Sequence, residues 1–300
     1  MTKQLKADLS LLSITVVWGS SFIIMKNISE DLPAYVYLTL RFSVAGILML
    51  LLFHKRLKTL KLKTLLSGCV IGFLIYGGMM LQVMGLQTTS ASNSGFITGL
   101  NVVMVPILSA TLLKKKPPVS AVIGVIMAAV GLFIMKGFTG SWVIGDTYTL
   151  LCAVCFALQI IFIDKFASDM DEYQLAVIQI IFAAVLCGIT WGIAGSSAPL
   201  APIAWDSALI AAILYTGAIG TAFGNGVQTV AQKYTTPTRT ALILTCEPVF
   251  SAIFAVLVPN DQGIREVLSL QTILGCCLIL FGMIVTEIKP GHLSKDSVTD

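Results

Sequence analysis

The sequence predicts an all-α membrane protein with ten transmembrane helices, arranged as two inverted five-helix repeats with both termini in the cytoplasm. This prediction rests on the composition, on the spacing of the apolar segments and on an internal repeat. Of the 300 residues, 56% are hydrophobic and 11% are charged, whereas soluble proteins carry about 25% charged residues. The composition excludes a soluble enzyme with one membrane anchor, a secreted disulfide-linked scaffold and a nucleic-acid-binding protein.

Turn residues and charges divide the chain into segments that suit a bilayer, which a helix crosses with about 20 apolar residues. The predicted spans are 8–26, 33–53, 64–84, 89–112, 119–135, 146–164, 173–194, 206–228, 237–258 and 269–287. The runs are too long and too uninterrupted for the alternating strands of a barrel. Ten helices therefore account for the apolar part of the chain.

Basic residues indicate the orientation of these spans. With the N-terminus inside, fourteen lysines and arginines fall in predicted cytoplasmic segments, and three fall outside, namely Lys26, Lys136 and Arg265. Cytoplasmic loops of membrane proteins carry the excess of basic residues. An even number of spans returns the chain to the same side, so both termini are predicted to be cytoplasmic.

An internal repeat appears when the chain is shifted by 146 residues. The shift aligns four pairs of residues: Gly78 with Gly224, Gln82 with Gln228, Thr89 with Thr235, and Asn101 with Glu247. Five spans per half is an odd number, so the second half is predicted to be inverted, a recurrent plan in secondary transporters. The predicted units are a first repeat at 1–140, a second repeat at 141–288 and a polar cytoplasmic tail at 289–300.

Glycines four residues apart predict close helix contacts, because small residues let helix backbones approach. Four such pairs lie in the spans: Gly68 with Gly72, Gly95 with Gly99, Gly188 with Gly192, and Gly220 with Gly224. The seven cysteines also lie in apolar runs and are predicted to pack between helices. Cys152 and Cys155 form a Cys-x-x-Cys, but no second pair or nearby histidine accompanies them, so we expect no metal and no cofactor.

Several short motifs resemble those of the drug/metabolite transporter superfamily, specifically its EamA-type ten-helix transporters. They are Trp18-Gly19-Ser20-Ser21-Phe22 followed by Lys26, Arg41-Phe42, the stretch from Ser90 to Val105, Lys114-Lys115-Lys116, and Glu247-Pro248-Val249-Phe250. The resemblance covers nearly all of 8–287. It implies a proton-coupled or exchanging carrier of small metabolites, with a central cavity lined by helices from both repeats.

Two charges lie well inside predicted spans, where a charge is costly and is a functional candidate. Arg41 lies about eight residues into the second span, roughly 12 Å deep at 1.5 Å per residue, and Glu247 lies ten residues into the ninth. Glu247 is predicted either to take and release a proton during transport or to be a structural carboxylate bonded to Arg41 or to hydroxyls. For Arg41, pairing and orienting helices is the favoured role.

Neutral side chains in the spans supply further candidates for substrate binding. The predicted set, in which Asn101 is the counterpart of Glu247 and the aromatics are placed near the cavity by the resemblance, is Trp18, Phe22, Tyr76, Asn101, Phe156, Gln159 and Asn225. Hydrogen bonding between helices, for the amides, and packing, for the aromatics, are the competing interpretations.

The function predicted from these features is secondary transport of small metabolites, with amino acids or related compounds exported across a bacterial plasma membrane by alternating access. A passive facilitator or channel is the main alternative. A membrane-embedded enzyme is disfavoured because both histidines, His54 and His292, lie outside the spans. The expected partners are a small-molecule substrate, protons and membrane lipid, with the chain as a monomer or homodimer, and no nucleic acid.

Overall fold

The regular structure is helical throughout residues 2–89, 91–136, 142–197, 205–257 and 268–287, which are those that the computed structural model describes. The all-α prediction is therefore confirmed for these residues. The elements are α1 (Lys3–Asp31), α2 (Ala34–Leu57), α3 (Leu62–Leu86), α4 (Ala91–Gly99), α5 (Asn101–Leu112), α6 (Val119–Lys136), α7 (Ile144–Ala167), α8 (Glu172–Ser197), α9 (Ser207–Leu214), a π-helical segment (Tyr215–Phe223), α10 (Gly224–Gln232), α11 (Pro237–Leu244), α12 (Glu247–Leu257) and α13 (Leu270–Glu287).

Six described helices are long and apolar enough to cross a membrane. They are Ala34–Leu57, Leu62–Leu86, Ser94–Leu112, Ile144–Ala167, Glu172–Gly195 and Ser207–Gln232. Val119–Met135 and Leu270–Val285 are shorter apolar helices. The remaining predicted spans, 8–26 and 237–258, fall on α1 and on the pair α11 and α12. The predicted tail at 289–300 and the boundary at 140 lie outside the described residues.

Two predicted spans are interrupted. In the fourth span α4 ends at Gly99 and α5 begins at Asn101; in the ninth, α11 ends at Leu244 and α12 begins at Glu247. Tight turns mark both breaks, since the amide of Leu100 donates to the carbonyl of Ile97 at 3.1 Å and that of Cys246 donates to Ile243 at 3.0 Å. The break before Glu247 is followed by Pro248, which lacks the amide hydrogen that would bond the carbonyl of Leu244.

The eighth span contains the π-helical segment between α9 and α10. Its wider turns are visible where the amide of Gly224 donates to the carbonyl of Ile219, five residues earlier. A Cβ atom at Gly217 would lie 2.8 Å from the carbonyl oxygen of Arg41, and one at Gly224 would lie 2.5 Å from Nε1 of Trp18. These glycines therefore bring α2 and α1 close to the segment.

The predicted glycine contacts are confirmed in some helices and wrong in one. A Cβ atom at Gly68 or Gly72 would lie 2.6 or 2.5 Å from atoms of α8. By contrast, the positions of Gly188 and Gly192, in α8 itself, have no atom within 4 Å, so α8 makes its close contact through the opposite residues.

Long helix pairs hold the domain together. Neighbouring pairs include α6 with α13, α3 with α7 and α8, α2 with α8, and α1 with α12. The largest hydrophobic core is formed mainly by buried side chains of α1, α2, α3, α7 and α8. The remaining helices close around a space at the centre of this arrangement.

Candidate functional site

A central cavity lies where α1, α2, α3, α5, α7, α12 and the π-helical segment meet. The space between its lining atoms is about 700 Å³, within the range typical of small-molecule sites. Both halves of the chain contribute polar side chains, namely Ser21, Arg41, Gln82, Thr98, Asn101, Gln159, Thr221, Asn225, Gln228 and Glu247. Apolar side chains such as Met25, Ile75 and Met79 fill the remaining wall.

Seven of the nine predicted site residues line this cavity, although they come from five different spans. They are Trp18, Arg41, Asn101, Phe156, Gln159, Asn225 and Glu247. Phe22 lies in a small adjoining cavity of about 250 Å³, whose wall also includes Asn101 and Glu247. Tyr76 lies elsewhere: its hydroxyl is 2.7 Å from that of Thr190, so it joins α3 to α8 and does not line the cavity.

Arg41 is held by neutral groups. Its Nε donates to Oγ1 of Thr221 at 2.7 Å, and its Nη1 donates to Sδ of Met25 at 3.1 Å and to the hydroxyl of Tyr37 at 3.4 Å. Thr221 in turn donates to the carbonyl of Thr216, within the π-helical segment. Arg41 therefore ties α2 to that segment, while its Nη2 forms no hydrogen bond with a described residue.

Glu247 is the first residue of α12, and its side chain lines the cavity. It forms no hydrogen bond, and no ion pair of 4.0 Å or less, with any residue that the structure describes. Arg41 lines the same cavity without being such a partner. A structural carboxylate would be expected to have partners, so the structural interpretation of Glu247 finds no supporting bond here.

The amides of the cavity are divided between bonded and unbonded groups. Nε2 of Gln159 donates to Oε1 of Gln228 at 3.2 Å, and Nδ2 of Asn225 donates to the carbonyl of Thr221 at 3.2 Å. Asn101 is 8% exposed, and its Oδ1 has no hydrogen-bond partner. Trp18 donates through Nε1 to the carbonyl of Gly220 at 2.8 Å, so it presents its ring, not a free donor.

Sequence reasoning left several lining residues out of its predicted set. Gln82 and Gln228 could have been found, because the shift of 146 residues aligns them with each other. Thr221 could not, since nothing in the periodicity indicates a π-helical segment. Met25 and Met79 look like ordinary core residues in an apolar helix.

The two ends of the cavity region carry matching side-chain bonds. Oγ1 of Thr89, before α4, donates to Asp146 at the start of α7 at 2.7 Å. Oγ1 of Thr235, before α11, donates to Asp8 near the start of α1 at 2.9 Å. Thr89 and Thr235 are equivalent under the repeat, but Asp8 also forms an ion pair of 2.8 Å with Arg239.

Comparison with known proteins places the whole chain in one family. The model of the EamA-like transporter family matches residues 5–136 and 143–288. An uncharacterized transporter of Archaeoglobus fulgidus is 30% identical over 292 residues, which cover 96% of this chain and 87% of the relative. The uncharacterized transporter YoaV of Bacillus subtilis is 22% identical over 288 residues, covering 93% and 96%.

A solved structure supports the same fold. A crystal structure described only as that of a protein superposes with a TM-score of 0.72 at 19% identity, covering 94% of this chain and 97% of the other. At this identity the likeness concerns the fold alone. Because both halves match the family model and a 30% identical relative is covered almost throughout, the chain belongs to the EamA-like transporter family of the drug/metabolite transporter superfamily and is a multi-pass membrane transporter.

Proposed function

We propose that this protein is a secondary transporter that exports amino acids or related small metabolites across a bacterial plasma membrane. Transport proceeds by alternating access around the central cavity. The observation that carries the proposal is the carboxylate of Glu247, which lines a cavity shared by both halves and has no partner among the described residues. Glu247 and the other polar lining residues would form the substrate and proton site.

The charges of the cavity suit a zwitterion. The guanidinium of Arg41 keeps its Nη2 unbonded, and a guanidinium recognises a carboxylate through paired donors. Glu247 offers an acceptor for an ammonium group, and Asn101 offers an unbonded amide oxygen. An α-amino acid carries both charges at one end, which matches a cavity that contains one cation and one anion.

Glu247 is also the proposed proton-coupling group. Moving an empty cavity with an uncompensated charge through the membrane is costly. Protonation of Glu247 removes that charge when no substrate is bound, and proton release restores it when an ammonium group arrives. The transport cycle would then exchange the substrate for a proton.

The predicted inverted repeat supports alternating access. The two helix breaks occur at Asn101 and Glu247, which the repeat aligns. The helix pairs also shift by five spans, since α1 packs on α12 and α7 packs on α4 and α5. Two similar halves of opposite orientation can expose a site between them to either side in turn. The distribution of basic residues supports cytoplasmic termini.

Flux through proteoliposomes tests the proposal. Vesicles would be loaded with labelled amino acids, amines or nucleosides, and efflux would be measured with and without a pH gradient for the wild type and for Glu247→Gln. The control is Glu172→Gln, which removes a carboxylate that is paired with Lys233 outside the cavity. We expect the control to behave as wild type and Glu247→Gln to lose gradient-driven efflux of amino acids while retaining exchange.

Other outcomes would contradict parts of the proposal. Equal flux in Glu247→Gln and wild type would remove the proton-coupling role. Wild-type flux that follows only the solute gradient, without exchange or acceleration by a pH gradient, would indicate a passive facilitator. Transport of amines or nucleosides but not amino acids would exclude the proposed substrate class.

A further inference from the structure

A second and larger cavity lies outside the central one, as a groove between α1, α2, α8 and α10. Its volume is about 1420 Å³. The π-helical segment and α10 form its back wall, through residues such as Ala222, Gly226 and Val230. The opposite face of the same span carries Thr221, Asn225 and Gln228 into the central cavity, so one helical wall separates the two spaces.

We infer that this groove binds one anionic phospholipid, with an acyl chain along its apolar wall and the phosphate beside Lys3 and Lys6. The inference concerns a site outside the central cavity and does not depend on the proposed transport function. It rests on the length of the groove, on its composition and on the charges at one end.

The groove has the length of one lipid leaflet. Its wall runs from Ala218 to Tyr234, which is roughly 20 Å at the rise of a helix. Half of the hydrocarbon core of a bilayer measures about 15 Å, so the groove accommodates an acyl chain and reaches the headgroup region. Leu48, Leu52 and Phe53 of α2 form the facing wall.

Polar groups are concentrated at the end that carries the N-terminal residues. Lys3 and Lys6 line the groove there, with Tyr173 and Tyr234 beside them. Tyr173 is fixed in place, because its ring lies 5.2 Å from that of Phe53 and 4.3 Å from the guanidinium of Arg56. Tyrosine rings at the level of the headgroups are typical of membrane interfaces.

The two lysines are available for an anion. Lys3 lies 5.9 Å from the ring of Tyr234, and neither lysine has a carboxylate partner among the described residues. Several other cations nearby do, since Arg56 pairs with Asp171, Lys233 with Glu172 and Arg239 with Asp8. Basic pockets between helices on the cytoplasmic side bind anionic headgroups, and each lysine at such a surface raises affinity about fivefold.

A second copy of the chain is a poorer occupant. The groove is concave, so two copies meeting through it would leave the space between them unfilled. A symmetric contact would also bring the lysines of both copies together. A lipid has the complementary shape and the complementary charge.

Native mass spectrometry of the full chain in mild detergent tests the inference. The protein would be titrated with dioleoyl phosphatidylglycerol, which is anionic, and with dioleoyl phosphatidylcholine, which has no net charge. We expect one tightly bound phosphatidylglycerol per chain and weaker binding of phosphatidylcholine. Lys3→Gln with Lys6→Gln should weaken phosphatidylglycerol binding about 30-fold, and Val230→Trp, which fills the groove, should abolish it.

The control is Lys61→Gln with Lys63→Gln, which removes two exposed lysines that do not line the groove. This variant should bind phosphatidylglycerol as the wild type does. Equal binding of the two lipids, or equal weakening by the control pair, would overturn the inference in favour of unspecific surface charge. A lipid-free dimer that Val230→Trp converts to a monomer would overturn it by showing that a second copy occupies the groove.

Discussion

Asn101 and Glu247 occupy equivalent places in the two halves of the molecule, and they differ in charge. Each is the first residue of the helix that follows a break in its span, and each lines the central cavity. Asn101 is neutral, with an unbonded amide oxygen, whereas Glu247 is ionisable and has no partner among the described residues. The backbone arrangement is therefore repeated, but the chemistry is not.

This difference shows which half can respond to protons. A neutral amide presents the same hydrogen-bonding groups at every pH, so the first half offers a constant surface to a substrate. A carboxylate changes from acceptor to donor and loses its charge when it binds a proton. Similar halves permit the rocking motion, and the unmatched residue at one break permits its coupling to a gradient.

Exchanging the chemistry of the two breaks gives the largest expected effect. Glu247→Gln should reduce gradient-driven efflux to the level of empty liposomes, because it makes both breaks neutral. Asn101→Ala should reduce efflux only about tenfold, the effect of losing one hydrogen-bonding group. Efflux rates measured in parallel check this order. The reverse order would assign the essential group to the first half.

Arg41→Lys should produce the next largest effect. Lysine keeps the positive charge but cannot reproduce the bond from Nε of Arg41 to Thr221 together with the free Nη2. We expect a loss of about 2 kcal/mol in stability, since bonds from charged donors contribute this much, and weaker amino acid binding. Unfolding in detergent and equilibrium binding provide the measurements. Unchanged values for both would show that only the charge of Arg41 matters.

The two threonine bonds sharpen the comparison at the ends of the cavity. Thr89→Val removes the bond to Asp146, and Thr235→Val removes the bond to Asp8. Each loss of about 1 kcal/mol should change the balance of open states about fivefold, in opposite directions. The reporter is the alkylation rate of Asn225→Cys from each side of the membrane, in a background without native cysteines. A shift in the same direction for both variants would contradict the inverted arrangement.

The smallest effect is expected at Lys233 and Glu172, a pair outside the membrane spans. The hydrogen bond from Glu172 raises the pKa of Lys233 above its ordinary value of 10.5. The pair therefore stabilises the fold below that pH, and its contribution is lost as the pH rises through the raised value. Glu172→Gln should lower stability by less than about 1 kcal/mol, as thermal unfolding at neutral pH would show. A larger loss would place this pair among the essential contacts.

Part of the site could be predicted because the repeat and the cost of buried charge leave traces in the sequence. Arg41 and Glu247 stand out as charges inside apolar runs, and the shift of 146 residues aligns Asn101 with Glu247. The same alignment indicates Gln82 and Gln228. Tyr76 shows the limit, because an aromatic residue in an apolar helix carries no mark of the direction in which it points.

The sequence by itself determined that the chain crosses a membrane many times, because composition and segment length are local properties that a bilayer reads directly. It also determined which few charges must lie inside. Only the tertiary structure decided that Arg41 bonds Thr221 and not Glu247, and that the eighth span contains a π-helical segment. A helix that is apolar on all sides has no periodicity to set its rotation, so the facing of each side chain follows from contacts between residues far apart in the chain.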